Sequence, residues 1–497
     1  MVIESLHTVG TFPGIGSLRP PGGAAADARV TRVDDVLWKA LWKAAGTLRG
    51  SVDAAQYKDF VLGLVFLKYV SDASGDGSFT VPDGAHWADL TGEPGEPEEQ
   101  GGLGARIDAA MDAVMRANPA LDGALPKIFT GVDQRRLGEL VAVIGDVRFG
   151  GRAARDVLGE VYEYFLEKFA RAEGKRGGEF YTPPCVVRLL VEILEPFKGR
   201  VYDPCCGSGG MFVQAEKFVL SHRGRLDDIA VHGQEANERT WRLAKMNLAV
   251  HGISGDIRRS DTFHADAHPD LQADHVLANP PFNMSDWYRD PGDPRWRYGV
   301  PPAGNANFAW IQHIISKLGP GGRAGVVMAN GSMSSRQSGE GGIRTALVEA
   351  GLVSCVVALP DRLFRSTPIP ACLWFLDRTP QGRVLFIDAR HMGTMVDRTE
   401  RVLTGDDIAQ IAGAYRSWRS GGHADVPGFC HSAGLDEIRS HDHVLTPGRY
   451  VGAARASSGA EPADDKVERL TRELLAHLDE SARLDEVVRT ELGRLDG

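Results

Sequence analysis

Basic residues are in the minority. The chain of 497 residues has 56 lysines and arginines against 66 aspartates and glutamates, a net charge of −10. A protein that grips DNA alone usually carries a basic face. If this chain acts on DNA, its grip is a local patch or belongs to a partner. No apolar run reaches the roughly 18 residues that a membrane helix needs. Cysteine is scarce: six in all, with Cys205 and Cys206 adjacent and no C-x-x-C pair. That usage argues against structural zinc and disulfides and points to a reduced cytoplasm. The stretch Met1–Arg29 lacks the basic start and apolar core of a secretory signal and is rich in Gly, Pro and Ala. It reads as a floppy tail. No internal repeat is evident.

What is present is an ordinary globular composition, 43% hydrophobic and 25% charged, long enough for two to four domains. Residues 1–32 are the expected tail. Residues 33–173 read as a helical N-terminal domain, with apolar residues at helical spacing at Val33, Val36, Leu37 and Leu41, then Phe60, Leu64 and Leu67. Residues 74–104 are loop-like, and helices resume through 105–117, 133–143 and 152–171. A Gly-rich link, Gly174–Gly178, opens a catalytic domain over 174–451. There strands at Arg200–Tyr202, Ile229–Gln234, Asp256–Ser260, Ala273–Ala278, Ala324–Met328, Val353–Leu359 and Ala371–Leu376 alternate with helices at Gly209–Ser221, Glu238–His251, Asn307–Leu318 and Ile343–Ala350. Such alternation predicts an α/β fold, a Rossmann-like, mostly parallel sheet with helices on both faces. After about residue 385 the pattern weakens into a smaller mixed region. Residues 452–497 are a polar linker and a C-terminal helix with a near-heptad apolar stripe from Val467 to Leu495. That stripe suits docking on a partner helix.

Two stretches carry the chemistry. The corner Asn279-Pro280-Pro281-Phe282 follows a short apolar strand, and ligands of open α/β sheets bind at strand carboxyl ends. Adjacent prolines stiffen the backbone. The Asn279 amide oxygen, the Pro280 carbonyl and the Phe282 ring offer two acceptors and a flat apolar face, which suit adenine. Upstream, Asp203 ends a strand and leads through Gly207-Ser208-Gly209-Gly210 into a helix. Glycines let backbone approach a ligand, and a helix N-terminus offers N–H groups to an anion. The spacing is not the dinucleotide G-x-G-x-x-G. Glu235, ending the next strand, suits ribose hydroxyls, and Asp261, ending the third, suits an adenine amino group. An adenosine carrying an amino acid fits: S-adenosylmethionine. Hydrogen bonds from an adenine N6 to Asn279 and the Pro280 carbonyl favour a pyramidal nitrogen with a free lone pair. A stacked N6 is out of reach, so the base must be flipped out and stacked on Phe282.

These motifs, with Gly178-Glu-Phe-Tyr-Thr-Pro183, Gln234-Glu235, Thr240–Leu248, Asn305–His313 and Leu445–Val451, resemble the modification subunit of type I restriction-modification systems. Those are DNA adenine-N6 methyltransferases. The resemblance runs from about residue 33 to the end, and the order of motifs is the family's; Met1–Arg29 has no counterpart. Cys205-Cys206 stands where many relatives carry alanine-cysteine. The resemblance implies that Glu179, Phe180, Tyr181, Thr182 and Pro183, with Ser208, Gly209 and Gly210, hold the methionine part of S-adenosylmethionine, and that Glu235 holds its ribose. It implies a complex of two modification subunits with one specificity subunit, plus restriction subunits for cleavage. The N-terminal domain is then expected to help enclose double-stranded DNA, and the C-terminal helix to pack on the specificity subunit.

Other features carry less. His264 and His268, and His441 and His443, lack a Cys or carboxylate cluster at ligand spacing and are expected to be solvated, with no metal. Lys175-Arg176 reads as a solvated link. In the long loop 283–306, Trp287, Tyr288, Trp296 and Tyr298 either line a DNA-facing flap or pack the loop, and Arg295 and Arg297 are candidate phosphate contacts. Two rival readings remain. A glutamine-N5 protein methyltransferase would use the same acceptors, though such enzymes usually carry tyrosine in place of Phe282. A non-catalytic scaffold would keep only the fold.

Overall fold

In the computed structural model the described residues are 54–90, 102–146, 159, 162–166, 182–364, 370–453 and 463–493. The expectations for residues 1–32, for Lys175-Arg176 and for Glu179, Phe180 and Tyr181 lie outside them.

The sheet grows from its most apolar segments. Strands β6 (Val353–Ala358) and β7 (Ala371–Asp377) are buried at every residue, which requires cover on both faces. They lie within a nine-stranded sheet of order β11-β8-β6-β7-β5-β4-β1-β2-β3. Its other members are β1 (Gly199–Asp203), β2 (Ile229–Glu235), β3 (Gly255–Arg259), β4 (Ala273–Ala278), β5 (Leu318–Ala329), β8 (Arg383–Asp388) and β11 (Cys430–Gly434); β9 (Thr394–Met395) and β10 (Arg401–Val402) form a separate two-stranded ladder. Five pairings are parallel and three, around β7 and β11, are antiparallel. The order turns around between β1 and β4. β2 and β3 extend one way and β5 the other, so the carboxyl ends of β1 and β4 flank the switch point where such sheets bind ligands.

Side chains of β4 alternate. Leu277 joins one core with helices α4 (Pro184–Leu194), α5 (Gly210–Ser221) and α9 (Gly405–Arg419), while Val276 and Ala278 join the opposite core with α7 (Asn307–Lys317) and α8 (Glu340–Glu349). Helix α4 begins with proline, where the missing N–H costs nothing. It buries seven apolar residues and stops at Glu195, in the left-handed region at φ 47°. The sequence reading placed no helix there.

The N-terminal helices α1 (Ala54–Ala73), α2 (Gly102–Ala117) and α3 (Gln134–Gly145) pack around Leu64, Met111, Phe129 and Leu140. Leu243, Met246 and Val250 of α6 (Glu238–Val250) complete that core, so the helical part is fastened to the sheet by α6. Near its end, Glu163 bonds Lys217 at 2.7 Å across to α5.

Candidate active site

The corner after β4 is fixed from both sides. Behind it, Asn283 takes φ 53°, a conformation Asn tolerates better than most residues. The Asn307 side chain clamps that turn, accepting from the Asn283 N–H at 3.0 Å and donating Nδ2–H to Asn283 Oδ1 at 2.9 Å. In front, Asn279 Nδ2 donates to Thr182 Oγ1 at 2.8 Å. Asn279 Oδ1 is buried and has no hydrogen-bond partner among the described residues. Among the described residues no donor is bonded to the Pro280 carbonyl. Pro280 is buried and Pro281 half-buried. Phe282 is only 9% exposed and meets Phe364 edge-on, with ring centroids 6.0 Å apart.

The turn after β1 is built from backbone donors and buried acids. Asp203 Oδ1 accepts from the Cys205 N–H at 3.0 Å. Glu235 spans two turns, accepting from the Gly207 N–H at 3.1 Å and the Asn237 N–H at 2.8 Å. Gly209 takes φ 79°, and a Cβ there would lie 2.6 Å from Leu248. The left-handed backbone disfavours a side chain there, and the tip of Leu248 would have to yield to one. It caps α5 without a side-chain bond, so the first-turn N–H groups receive no cap from it. Burial first, and then the Glu235 charge, push the Asp203 carboxyl up to about 7. Burial and the same acids raise the Cys205 and Cys206 thiols well above their usual range. Both are protonated and poor nucleophiles.

The two ends meet in an open cleft of about 730 Å³, lined by Thr182, Asp203, Gly207, Ser208, Gly210 and Asn279 among others. Pro183, Gly209 and Glu235 adjoin the lining without being part of it; Asp261 does not line it. Asp261 Oδ1 instead accepts from the Phe263 and His264 N–H groups, both at 2.9 Å, and so organises its own turn. Among the lining residues that escaped the sequence reading are Asn247 and Glu163. Asn247, 1% exposed, donates Nδ2–H to the Ser208 carbonyl at 2.8 Å while its Oδ1 has no partner among the described residues. Glu163 reaches in from the helical part; although burial raises its carboxyl, hydrogen bonding to His251 and the charge of Lys217 hold it below the usual range. Asn247 sits in the segment Thr240–Leu248 that prompted the resemblance, which was the only available signal. The described lining holds acids and no lysine or arginine, an environment suited to a cationic ligand.

Several secondary expectations change. Arg295 is no free phosphate contact. It donates to Asp293 at 2.9 Å, to the Thr262 carbonyl at 2.8 Å, to the Phe263 carbonyl at 3.0 Å and to His313 Nδ1 at 3.0 Å. Trp296 packs with Phe263 and Trp310, whereas Tyr288 is 50% exposed and Arg297 is exposed. The loop therefore has a packed inner side and an open outer one. His268 is buried rather than solvated, its Nε2 bonded to the Gly233 carbonyl at 2.9 Å. With His232 and Asp256 it brings candidate ligand atoms within 4.8 Å of one another, but Arg258 occupies both Asp256 oxygens. His443 is paired with Glu349 at 2.7 Å.

A sheet of this order, with an acidic cleft at its switch point and an N-P-P-F corner on its rim, defines the class of amino-directed methyltransferases. Residues 153–458 match the family N-6 DNA Methylase, and residues 37–144 match the HsdM N-terminal domain. The chain belongs to this family as the modification subunit of a type I restriction-modification system, an N6-adenine DNA methyltransferase. It is 46% identical to the type I restriction enzyme HindI methylase subunit of Haemophilus influenzae, over 79% of this chain and 93% of that one. It is 35% identical to the MjaIX methylase subunit of Methanocaldococcus jannaschii, over 92% and 90%. The crystal structure of the type I methyltransferase subunit from Streptococcus thermophilus covers 84% of this chain and all of its own at 25% identity and a TM-score of 0.72. The protein-glutamine and scaffold readings give way to this assignment. Among the described residues no helix is long and apolar enough to cross a membrane.

Proposed function

We propose that this chain binds S-adenosylmethionine in the cleft between β1 and β4 and presents a flipped adenine to it at the Asn279 corner. Bound there, S-adenosylmethionine supplies an electrophilic methyl group. The acidic lining, the uncapped start of α5 and the free Asn247 Oδ1 fit its sulfonium, carboxylate and ammonium groups. Thr182, Pro183, Ser208, Gly209 and Gly210 take the methionine part, Asp203 and Gly207 shape the turn beneath it, Glu235 takes the ribose and Asp261 the adenine edge. Glu179, Phe180 and Tyr181 complete the set by family resemblance. The observation that carries the reading is the buried, unpartnered Asn279 Oδ1. Such a group costs about 1–3 kcal/mol unless something donates to it, and an exocyclic amine donates two hydrogens. Asn279 Oδ1 and the Pro280 carbonyl accept them, and the nitrogen lone pair is drawn out of conjugation. Pro281 stiffens the corner. Phe282, braced by Phe364, stacks on the extruded base, an interaction worth about 1–3 kcal/mol.

Sequence choice belongs to a specificity subunit in a complex with two copies of this chain, and cleavage to added restriction subunits, all in the cytoplasm. The net charge of −10 favours such delegation. Long-read detection of modified adenines in host DNA tests the reading. Methylated sites that disappear when Asn279→Ala replaces the wild-type chain support it. Sites that persist in that strain refute it.

A further inference from the structure

We infer that Thr182 is a positioning residue that ties the orientation of the Asn279 amide to occupancy of the cofactor cleft. The inference rests on the reading above and deepens it. A primary amide has two ends of nearly equal size, and only the oxygen end accepts from an amine. Turned over, Asn279 would set N–H against N–H and repel the base. The corner itself does not decide between the two orientations: the Oδ1 position has no hydrogen-bond partner. The other end is where the choice can be made: Nδ2 meets Thr182 Oγ1 at 2.8 Å.

A hydroxyl, however, both donates and accepts. Thr182 alone would tolerate either orientation, donating to Oδ1 or accepting from Nδ2. What makes it selective is a second acceptor that takes its only proton. Thr182 lines the same cleft as Asn279, and the proposed occupant carries a carboxylate. Once the hydroxyl donates into the cleft, Oγ1 is left an acceptor, Nδ2 must face it, and Oδ1 must face the base. Cofactor binding and base capture are then coupled through one side chain, and linkage makes the coupling reciprocal.

The test uses the modification complex purified from its host through a tag on this chain. The DNA carries 2-aminopurine beside the methylated adenine read from the host genome, so that the target keeps its N6 amine and its extrusion unstacks the fluorescent neighbour, and S-adenosylhomocysteine, which keeps the carboxylate, is the cleft ligand. In the wild type the ligand should tighten base extrusion by roughly 5-fold or more, within the usual range of coupling between sites. Thr182→Ser keeps the hydroxyl and should keep the coupling. Thr182→Val should abolish it and lower kcat about tenfold or more at saturating substrates, as loss of one hydrogen bond predicts. Thr182→Ala serves if valine disturbs folding. Undiminished coupling in both hydroxyl-free variants overturns the inference, as does a rise in KM for S-adenosylmethionine with kcat unchanged. Asn279→Ala separates the two levels. If it methylates normally, the parent reading is lost; if it is inactive while the Thr182 variants behave as wild type, only the coupling is lost.

Discussion

Asn279 holds an acceptor that the free protein leaves unsatisfied, so the residue trades stability for function. Replacing it with alanine should leave the unfolding free energy unchanged or slightly raised, because a buried orphan is removed. Methyl transfer should drop by roughly 10²–10³, the effect of deleting one preorganised hydrogen-bonding group, while calorimetric binding of S-adenosylmethionine persists. Loss of binding in step with activity would assign Asn279 to the cofactor instead. Asp203 predicts a pH effect. Its carboxyl rises from 3.8 to about 7 on folding, so the folded state holds the proton more tightly than the unfolded one. The stability it contributes is complete below its unfolded pKa and is lost as pH climbs through about 7. Asp203→Asn should therefore gain on the wild type between about pH 4 and pH 7 in thermal unfolding of the free protein, and a gap that narrows with rising pH would contradict the assignment. The corner and the Gly turn were legible because their chemistry is written in consecutive residues. Asn247 was not, since its bond to Ser208 joins positions 39 apart and only its place in the Thr240–Leu248 segment hinted at a role.

Loop 283–306 shows what an element needs beyond its own pattern. Its tryptophans and arginines read equally well as a DNA surface or as packing, and the outcome depends on a partner, Phe263, and on carbonyls at 262 and 263 that only the fold brings near. Arg295 and Asp293 are each 13% exposed. Burial first, and then the Arg295 charge, push His313 down to about 3, so that histidine is neutral; taking the Arg295 hydrogen bond at Nδ1, it turns Nε2–H toward the Tyr202 hydroxyl at 3.2 Å. Arg295→Ala strands the half-buried Asp293 carboxylate and two carbonyls and should cost about 1.5–3 kcal/mol in denaturant unfolding. Arg297→Ala, exposed a few residues on, should stay within about 0.5 kcal/mol. Equal costs would show that the loop is not anchored through Arg295. Strand direction escaped the sequence for a related reason. β7 is buried at every residue whether its neighbours run with it or against it, so an unbroken apolar run does not encode polarity. Helix α4 was missed because its opening Pro183-Pro184 resembles a break, although proline is well placed in a first turn.

At the scale of the molecule, a large apolar surface stands uncovered among the described residues. Helix α10 (Ala463–Gly493) spans 31 residues. Its side chains at Val467, Leu470, Leu474, Leu475, Leu478 and Leu484 are 46–64% exposed, while ion pairs such as Arg469–Glu473 and Arg472–Glu468 lie along its surface. Leucines spaced this way are expected to seek another helix, and the acidic chain itself supplies no obvious target-reading face. A chain ending at Ala453 should therefore keep its unfolding free energy to within about 0.5 kcal/mol, as changes to uncovered surface do. It should also keep its affinity for S-adenosylmethionine, since the cleft residues all precede the cut. What it should lose is co-purification with the specificity subunit and, with it, adenine methylation in the host. A markedly destabilised truncation would mean that the stripe folds back on its own sheet. A stable truncation that still enters the complex would place the docking surface elsewhere, and the exposed outer side of loop 283–306, with Tyr288 and Arg297, would be the next surface to test.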